Sequence, residues 1–281
     1  MESKPVVVGT DGSEHAGRAV AWAADEAALR GLPLRIVHSV DMPGRMTQDM
    51  EVVLSEAGQG VLDEARREVL ARQPSVQVTT EVLSGAMSQA LREQAGDAFE
   101  IVLGHRGRGG FRGLLLGSTA RRVAGRVAGP VVIVRGRVEA VFGEIVAGVD
   151  PFEDEPGALE YAFEAAVARK AAIRAIHAFQ IADTLLPLTP TVSTEEVASL
   201  AREELAKAVA PWREKFPQVT VTEQVIQAHP VEALVNESET ADLLVLGAHG
   251  HTALGGWLVG STTHGAFEHA HCPIVAVRPR V

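Results

Sequence analysis

The chain has 281 residues, 46% hydrophobic and 22% charged, which is enough apolar side chain for one large core or two ordinary ones. Its net charge of −10 argues against a general binder of nucleic acid or anionic membranes, because phosphates would be repelled by most of its surface. A single cysteine, Cys272, rules out an intrachain disulfide, and no run is long and apolar enough for a signal segment or membrane span, so the sequence reads as cytoplasmic.

In chain order, short Val- and Ile-rich runs alternate with stretches of helical period. The first five runs are Val6–Gly9, Leu34–Val40, Val76–Leu83, Ile101–Gly104 and Val131–Arg135. Their near-continuous hydrophobicity predicts strands covered on both faces. Between them, "AGRAVAWAADEAALRG" and "VLDEARREVLARQ" place apolar residues three and four apart. The scheme then starts again, with strands predicted at Ile145–Gly148, Ala172–Phe179, Val219–Ile226, Leu243–Gly247 and Ile274–Val277. Asp11 aligns with Asp150, His38 with His177, and "GPVVIVR" with "CPIVAVR". The offset between copies grows from 139 at Asp11 and Asp150 to 143 at Gly129 and Cys272. The chain is a tandem duplication with its boundary near Gly136–Phe142, and the expected domains are residues 1–138 and 139–281. Strand–helix alternation predicts a doubly wound α/β fold with parallel sheets, whose ligands bind beyond the carboxyl ends of the strands.

At such ends stand "GHRGRGGFRGLLLGST" (Gly104–Thr119) and "GAHGHTALGGWLVGST" (Gly247–Thr262). Both read Gly, two residues, Gly, nine residues, Gly-Ser. The glycines permit a sharp turn and close backbone approach. The closing Gly-Ser opens a helix, whose bare N–H groups suit a phosphate. Taken singly, Ser118 or Ser261 reads as an N-cap; the flanking glycines and the recurrence turn the reading toward phosphate binding. The frame is neither a P-loop, since no lysine precedes the serine, nor the G-x-G-x-x-G dinucleotide fingerprint.

This glycine frame after strand four, with "DGSEHAGRAVAWA" after strand one and the duplication, resembles the universal stress protein family in its tandem two-domain form, over essentially the whole chain. The resemblance implies two Rossmann-like domains of the adenine nucleotide alpha hydrolase-like kind, each a five-stranded parallel sheet of order 3-2-1-4-5. It implies ATP, with Mg2+, bound without rapid turnover. Asp11 is then expected at the adenine region and Val40 to offer backbone to the base; Gly104, Gly107 and Gly117 admit ribose and phosphates, and Ser118 and Thr119 meet the phosphate chain. The matching positions are Asp150, Phe179, Gly247, Gly250, Gly260, Ser261 and Thr262. Copy two departs from the pattern, with "VDPFEDEPG" where copy one has "TDGSEHAG", which makes copy one the better ATP site. With strand five at a sheet edge, pairing of Val131–Val134 with Ile274–Val277 is expected to give a homodimer or an intrachain pseudo-dimer.

Arg106, Arg108 and Arg112 border the first loop, and Arg106 or Arg108 is expected to contact phosphate. His249, His251, His264, His269 and His271 beside Cys272 do not follow a zinc spacing and read as polar filling rather than a metal site. His38 and His177 are expected to be hydrogen-bonded inside the fold, and Asp41–Met50 and Gln180–Val192 to be irregular loops. No base or nucleophile for fast phosphoryl transfer stands out. The expected role is a regulatory nucleotide sensor in the stress response; a slow ATPase or phosphotransferase, and an adaptor with a nucleotide-free second site, are the alternatives.

Overall fold

The computed structural model describes residues 3–40, 48–108, 115–152, 156–180, 193–248 and 259–280. They form two compact units, one holding the first five strands and the other the last five. The first contains β1 (Val6–Gly9), α1 (Glu14–Arg30), β2 (Leu34–Val40), α2 (Gln48–Arg72), β3 (Val78–Ser84), α3 (Met87–Gln94), β4 (Glu100–Gly104), α4 (Ser118–Arg126) and β5 (Gly129–Val134). The second contains β6 (Glu144–Gly148), α5 (Pro156–Arg169), β7 (Ala172–Phe179), α6 (Thr194–Lys215), β8 (Val221–Gln227), α7 (Pro230–Glu237), β9 (Leu243–Gly247), α8 (Ser261–His269) and β10 (Ile274–Arg278).

In the first unit every neighbouring pair is parallel and the order is β3-β2-β1-β4-β5. The second unit runs β8-β7-β6-β9-β10 in the same way. The chain therefore winds outward from β1 to β3, then returns to the far side of β1 as β4. A crevice opens where the direction reverses, between the carboxyl ends of β1 and β4, and that is where ligands of such sheets sit.

Local chemistry places α1 against this crevice. Ser13 caps its start, accepting a hydrogen bond from the Ala16 N–H at 3.3 Å. Gly31, in the left-handed region at φ 64°, ends it, and the Leu32 N–H closes back onto the Ala27 carbonyl at 2.9 Å. The buried face is mostly alanine (Ala16, Ala19, Ala23, Ala24 and Ala27), so the helix axis approaches the sheet closely. Leu34, Ile36, Ile101 and Ile133 fill the layers on either side and are at most 1% exposed. Each contributes about 1.5–3 kcal/mol by leaving water.

Two strands start later than the apolar runs predict. Val76 and Val219 are buried, but their N–H groups donate to Gln73 and Phe216 carbonyls in the turns that close the preceding helices. Pairing begins only past these turns, where the Leu34 N–H reaches the Gln77 carbonyl at 2.9 Å and the Ile173 N–H reaches that of Thr220 at 2.8 Å. Of the segment expected to be a loop, Gln48–Met50 belongs to α2, while 41–47 and 181–192 lie outside the described residues.

Candidate functional site

Asp11 leaves the end of β1 and ties the crevice together. One carboxylate oxygen accepts the Ser13 N–H at 3.0 Å and the other accepts the Arg108 N–H at 2.6 Å. The loop after β4 is thereby fastened to the turn after β1. Burial pushes the Asp11 carboxyl up, but hydrogen bonds from Ser13 and the Arg108 N–H, with the Arg108 charge, together hold it below the ordinary value. It is ionised at neutral pH and acts as an acceptor. Gly107 lies against it, and a Cβ there would overlap Asp11 Oδ2. Gly104 has a different partner: a Cβ at this position would stand 2.5 Å from the His15 carbonyl oxygen of α1. Two glycines of the frame are thus fixed by contacts within the unit itself.

At the far end of the loop, the Gly117 N–H donates to the His105 carbonyl at 2.7 Å. Gly117 occupies the cap position of α4 with φ −69° and ψ 153°, so Ser118 is the first helical residue and not the cap. The N-cap reading of Ser118 is corrected: an extended glycine caps the helix by backbone geometry alone, leaving the hydroxyl beside the exposed N–H groups of the first turn. Between Asp11 and this helix start lies a cavity of about 410 Å3. Ala16, Met87, Leu103 and Ala120 line its apolar part, and Asp11, Arg106, Gly107, Gly117, Ser118 and Thr119 its polar part. Arg106 reaches the cavity, and its Nε is buried with no hydrogen-bond partner among the described residues. Arg108 turns the other way, its guanidinium directed to the Gly12 carbonyl at 3.4 Å over a separate groove beside α2. The Val40 carbonyl accepts the Gly85 N–H at 2.9 Å, and its neighbour Ser39 lines the cavity.

The second unit repeats part of this frame. Asp150 accepts the Phe152 N–H at 3.1 Å, as Asp11 accepts that of Ser13. The Gly260 N–H faces the Ala248 carbonyl at 3.4 Å, as Gly117 faces His105, and Gly260 caps α8 so that Ser261 is its first residue and Thr262 its second. The Gly247 carbonyl, however, accepts the Thr263 hydroxyl at 2.8 Å, where the first unit has Ala120. Phe179 stacks on His177 with ring centroids 6.4 Å apart, and Phe152 meets the same imidazole edge-on at 5.8 Å. Gly250, His249 and His251 lie outside the described residues, as does Arg112.

A family model described as the universal stress protein family matches residues 2–135 and again 142–278. The chain belongs to the universal stress protein family. A universal stress protein of Mycolicibacterium smegmatis is 31% identical over 98% of this chain and 97% of its own length. One from Mycobacterium tuberculosis H37Rv is 30% identical over 97% and 96%. The crystal structure of a universal stress protein from Archaeoglobus fulgidus superposes with a TM-score of 0.74, covering 99% of both chains at 18% identity, a likeness of fold.

Within this universal stress protein, both strand-two histidines are hydrogen-bonded inside the fold. Nδ1–H of His38 donates to the Thr10 carbonyl at 2.8 Å, and that of His177 to Val149 at 3.0 Å. His264 stands 3.6 Å from Glu268, and His271 stands 3.7 Å from Glu239. Among the described residues no three His, Cys, Asp or Glu side chains gather as metal ligands would. Cys272 is buried just ahead of β10. Ser39 and Met87 are cavity residues that sequence reasoning missed. Their signal was positional: one sits at the carboxyl end of β2, the other opens α3 directly after β3.

Proposed function

We propose that the first unit binds ATP and that the protein is a regulatory nucleotide sensor of the stress response with little or no turnover. The observation that carries this reading is the two-sided cavity between β1 and β4. Its apolar part suits a base, while its polar part holds the start of α4, Ser118, Thr119 and an Arg106 whose buried Nε has no hydrogen-bond partner among the described residues. An unpartnered guanidinium nitrogen beside bare helix N–H groups fits a phosphate chain. Mg2+ enters as the companion of the triphosphate, held by its phosphate oxygens. An ionised carboxylate held as an acceptor is a weak base for activating water, which is in keeping with little or no turnover.

The second unit supports a weaker site. Thr263 is bound to the Gly247 carbonyl where the first unit has Ala120, and Phe152 stands where Ser13 caps α1. Chromatography of nucleotide released from the denatured protein is expected to give about one ATP per chain, set by a single competent helix start. ADP in its place favours the slow ATPase. No nucleotide, and no binding of added MgATP by calorimetry, favours the adaptor. Ser118→Ala is expected to weaken MgATP binding roughly 10- to 100-fold, the range of one charge-assisted hydrogen bond; full affinity in that variant would remove Ser118 from the site.

A further inference from the structure

Met87 opens α3 directly after β3, and its sulfur reaches the cavity of the first unit. A Cβ placed on Gly9, at the end of β1, would stand 3.4 Å from Met87 Sδ, 3.3 Å from Leu91 Cδ1 and 2.9 Å from Leu103 Cδ2. The thioether therefore lies in the apolar part of the cavity, against the strand end that ligands of such sheets meet. Met87 is half-buried rather than sealed in the core, so a solute little larger than water can reach it. Met50, the other methionine among the described residues, is 57% exposed on α2 and is not one of the residues that line this cavity.

Local structure does not call for a methionine here. The residue at the matching place past β8 is Pro230, which opens α7 with a backbone angle already suited to a first helical turn. His229 before it caps that helix, its ring accepting the Val231 N–H at 3.3 Å. α3 has neither signal, since Ala86 makes no side-chain capping bond. What Met87 adds is a flexible, polarisable side chain that fits an irregular apolar surface. It is also a side chain that oxidation converts from apolar to polar.

We propose that Met87 is an oxidation site that switches off nucleotide binding in the first unit: hydrogen peroxide converts the thioether to the sulfoxide, and the base loses its apolar seat. This inference rests on the ATP reading above. A sulfur lone pair attacks one peroxide oxygen, and the S–O bond forms as the O–O bond breaks. The departing hydroxide takes the proton left on the transferred oxygen, so sulfur gives up two electrons and the peroxide ends as water. The new oxygen is a strong hydrogen-bond acceptor beside Leu91 and Leu103, and a base seated there strips it of water without replacing the bond. The effect is reciprocal, because a bound base covers the sulfur and shields it from the oxidant.

The full chain is treated with hydrogen peroxide, oxygen on each methionine is quantified by peptide mass spectrometry, and MgATP binding is measured by calorimetry, for the wild type and Met87→Leu. Peroxide is expected to oxidise Met87 and to weaken MgATP binding to the wild type by about tenfold or more. Met87→Leu keeps every other methionine and Cys272, and is expected to show one affinity before and after peroxide. Saturating MgATP during the treatment is expected to slow oxidation of Met87 and to leave that of Met50 unchanged. An equal loss of affinity in both proteins, or no loss in a wild type oxidised at Met87, overturns the switch and leaves the ATP site standing. A Met87 that stays unoxidised while Met50 is fully converted overturns it as well. Absence of MgATP binding to the untreated wild type overturns both readings. Should Met87→Leu fail to fold or to bind, reduction decides. Methionine sulfoxide reductases A and B, added to the oxidised wild type, must restore affinity in step with the loss of oxygen from Met87, and recovery that follows another methionine overturns the proposal.

Discussion

Gly107 and Asp11 show how a single missing Cβ can serve the protein's own geometry as well as a ligand. A methyl group at Gly107 would overlap Asp11 Oδ2, the atom that receives the Arg108 N–H. Gly107→Ala is therefore expected to cost about 1–3 kcal/mol, either by shifting the loop or by breaking that bond. The origin of the cost is open to a double-mutant cycle. In an Asp11→Ala background the obstructing oxygen is gone, and Gly107→Ala is expected to be milder by at least about 1 kcal/mol. Urea unfolding of the four proteins measures it; strictly additive costs would disprove the contact as the cause. The glycines were legible as a repeated spacing, and the need for small residues followed from it. Their partners were not, because Asp11 and Arg108 are 97 residues apart and meet only when β4 lies beside β1.

The helices carry the site through their ends. α4 presents bare N–H groups because its cap is Gly117, and α1 is placed by Ser13, whose hydroxyl caps the helix while its own N–H binds Asp11. Ser13→Ala keeps the backbone bond to Asp11 and removes the cap, with an expected loss of about 1 kcal/mol. The denaturant midpoint should fall with an unchanged slope, since no additional surface is exposed; an unchanged midpoint would show that the cap contributes nothing. Period and composition made α1, β1, β2, β4 and β5 readable, because buried parallel strands are apolar on both faces. The starts of β3 and β8 were displaced for a physical reason. Val76 and Val219 are as apolar as strand residues, yet their N–H groups close turns, and hydrophobicity carries no record of where a hydrogen bond is directed.

At the scale of the molecule, duplication produced two units of one topology whose loops after the first strand differ in sequence. We propose residues 1–138 and 139–281 as independent domains. The boundary is supported by an anchor within the second unit: the N–H groups of Val141, Phe142 and Gly143 all donate to the Asp242 carboxylate, at 2.7 to 3.2 Å. A chain ending at Val138 leaves that clasp intact in the other half. Expressed alone, residues 1–138 are expected to unfold in one cooperative transition and to bind MgATP; a non-cooperative, molten product would refute the boundary.

The sequence by itself determined the duplication, the α/β class, the glycine frame and the family, because each is written in local spacing that recurs along the chain. Tertiary structure alone decided that Arg106 and not Arg108 reaches the cavity, that Ser39 and Met87 line it, and that His15 lies on His105. Those facts depend on which strand lies next to which and on which way a side chain turns once its backbone is fixed. Neighbouring arginines in a loop have the same chemistry in one dimension; the hydrogen bond from the Arg108 N–H to Asp11 sends their side chains to opposite sides of the crevice.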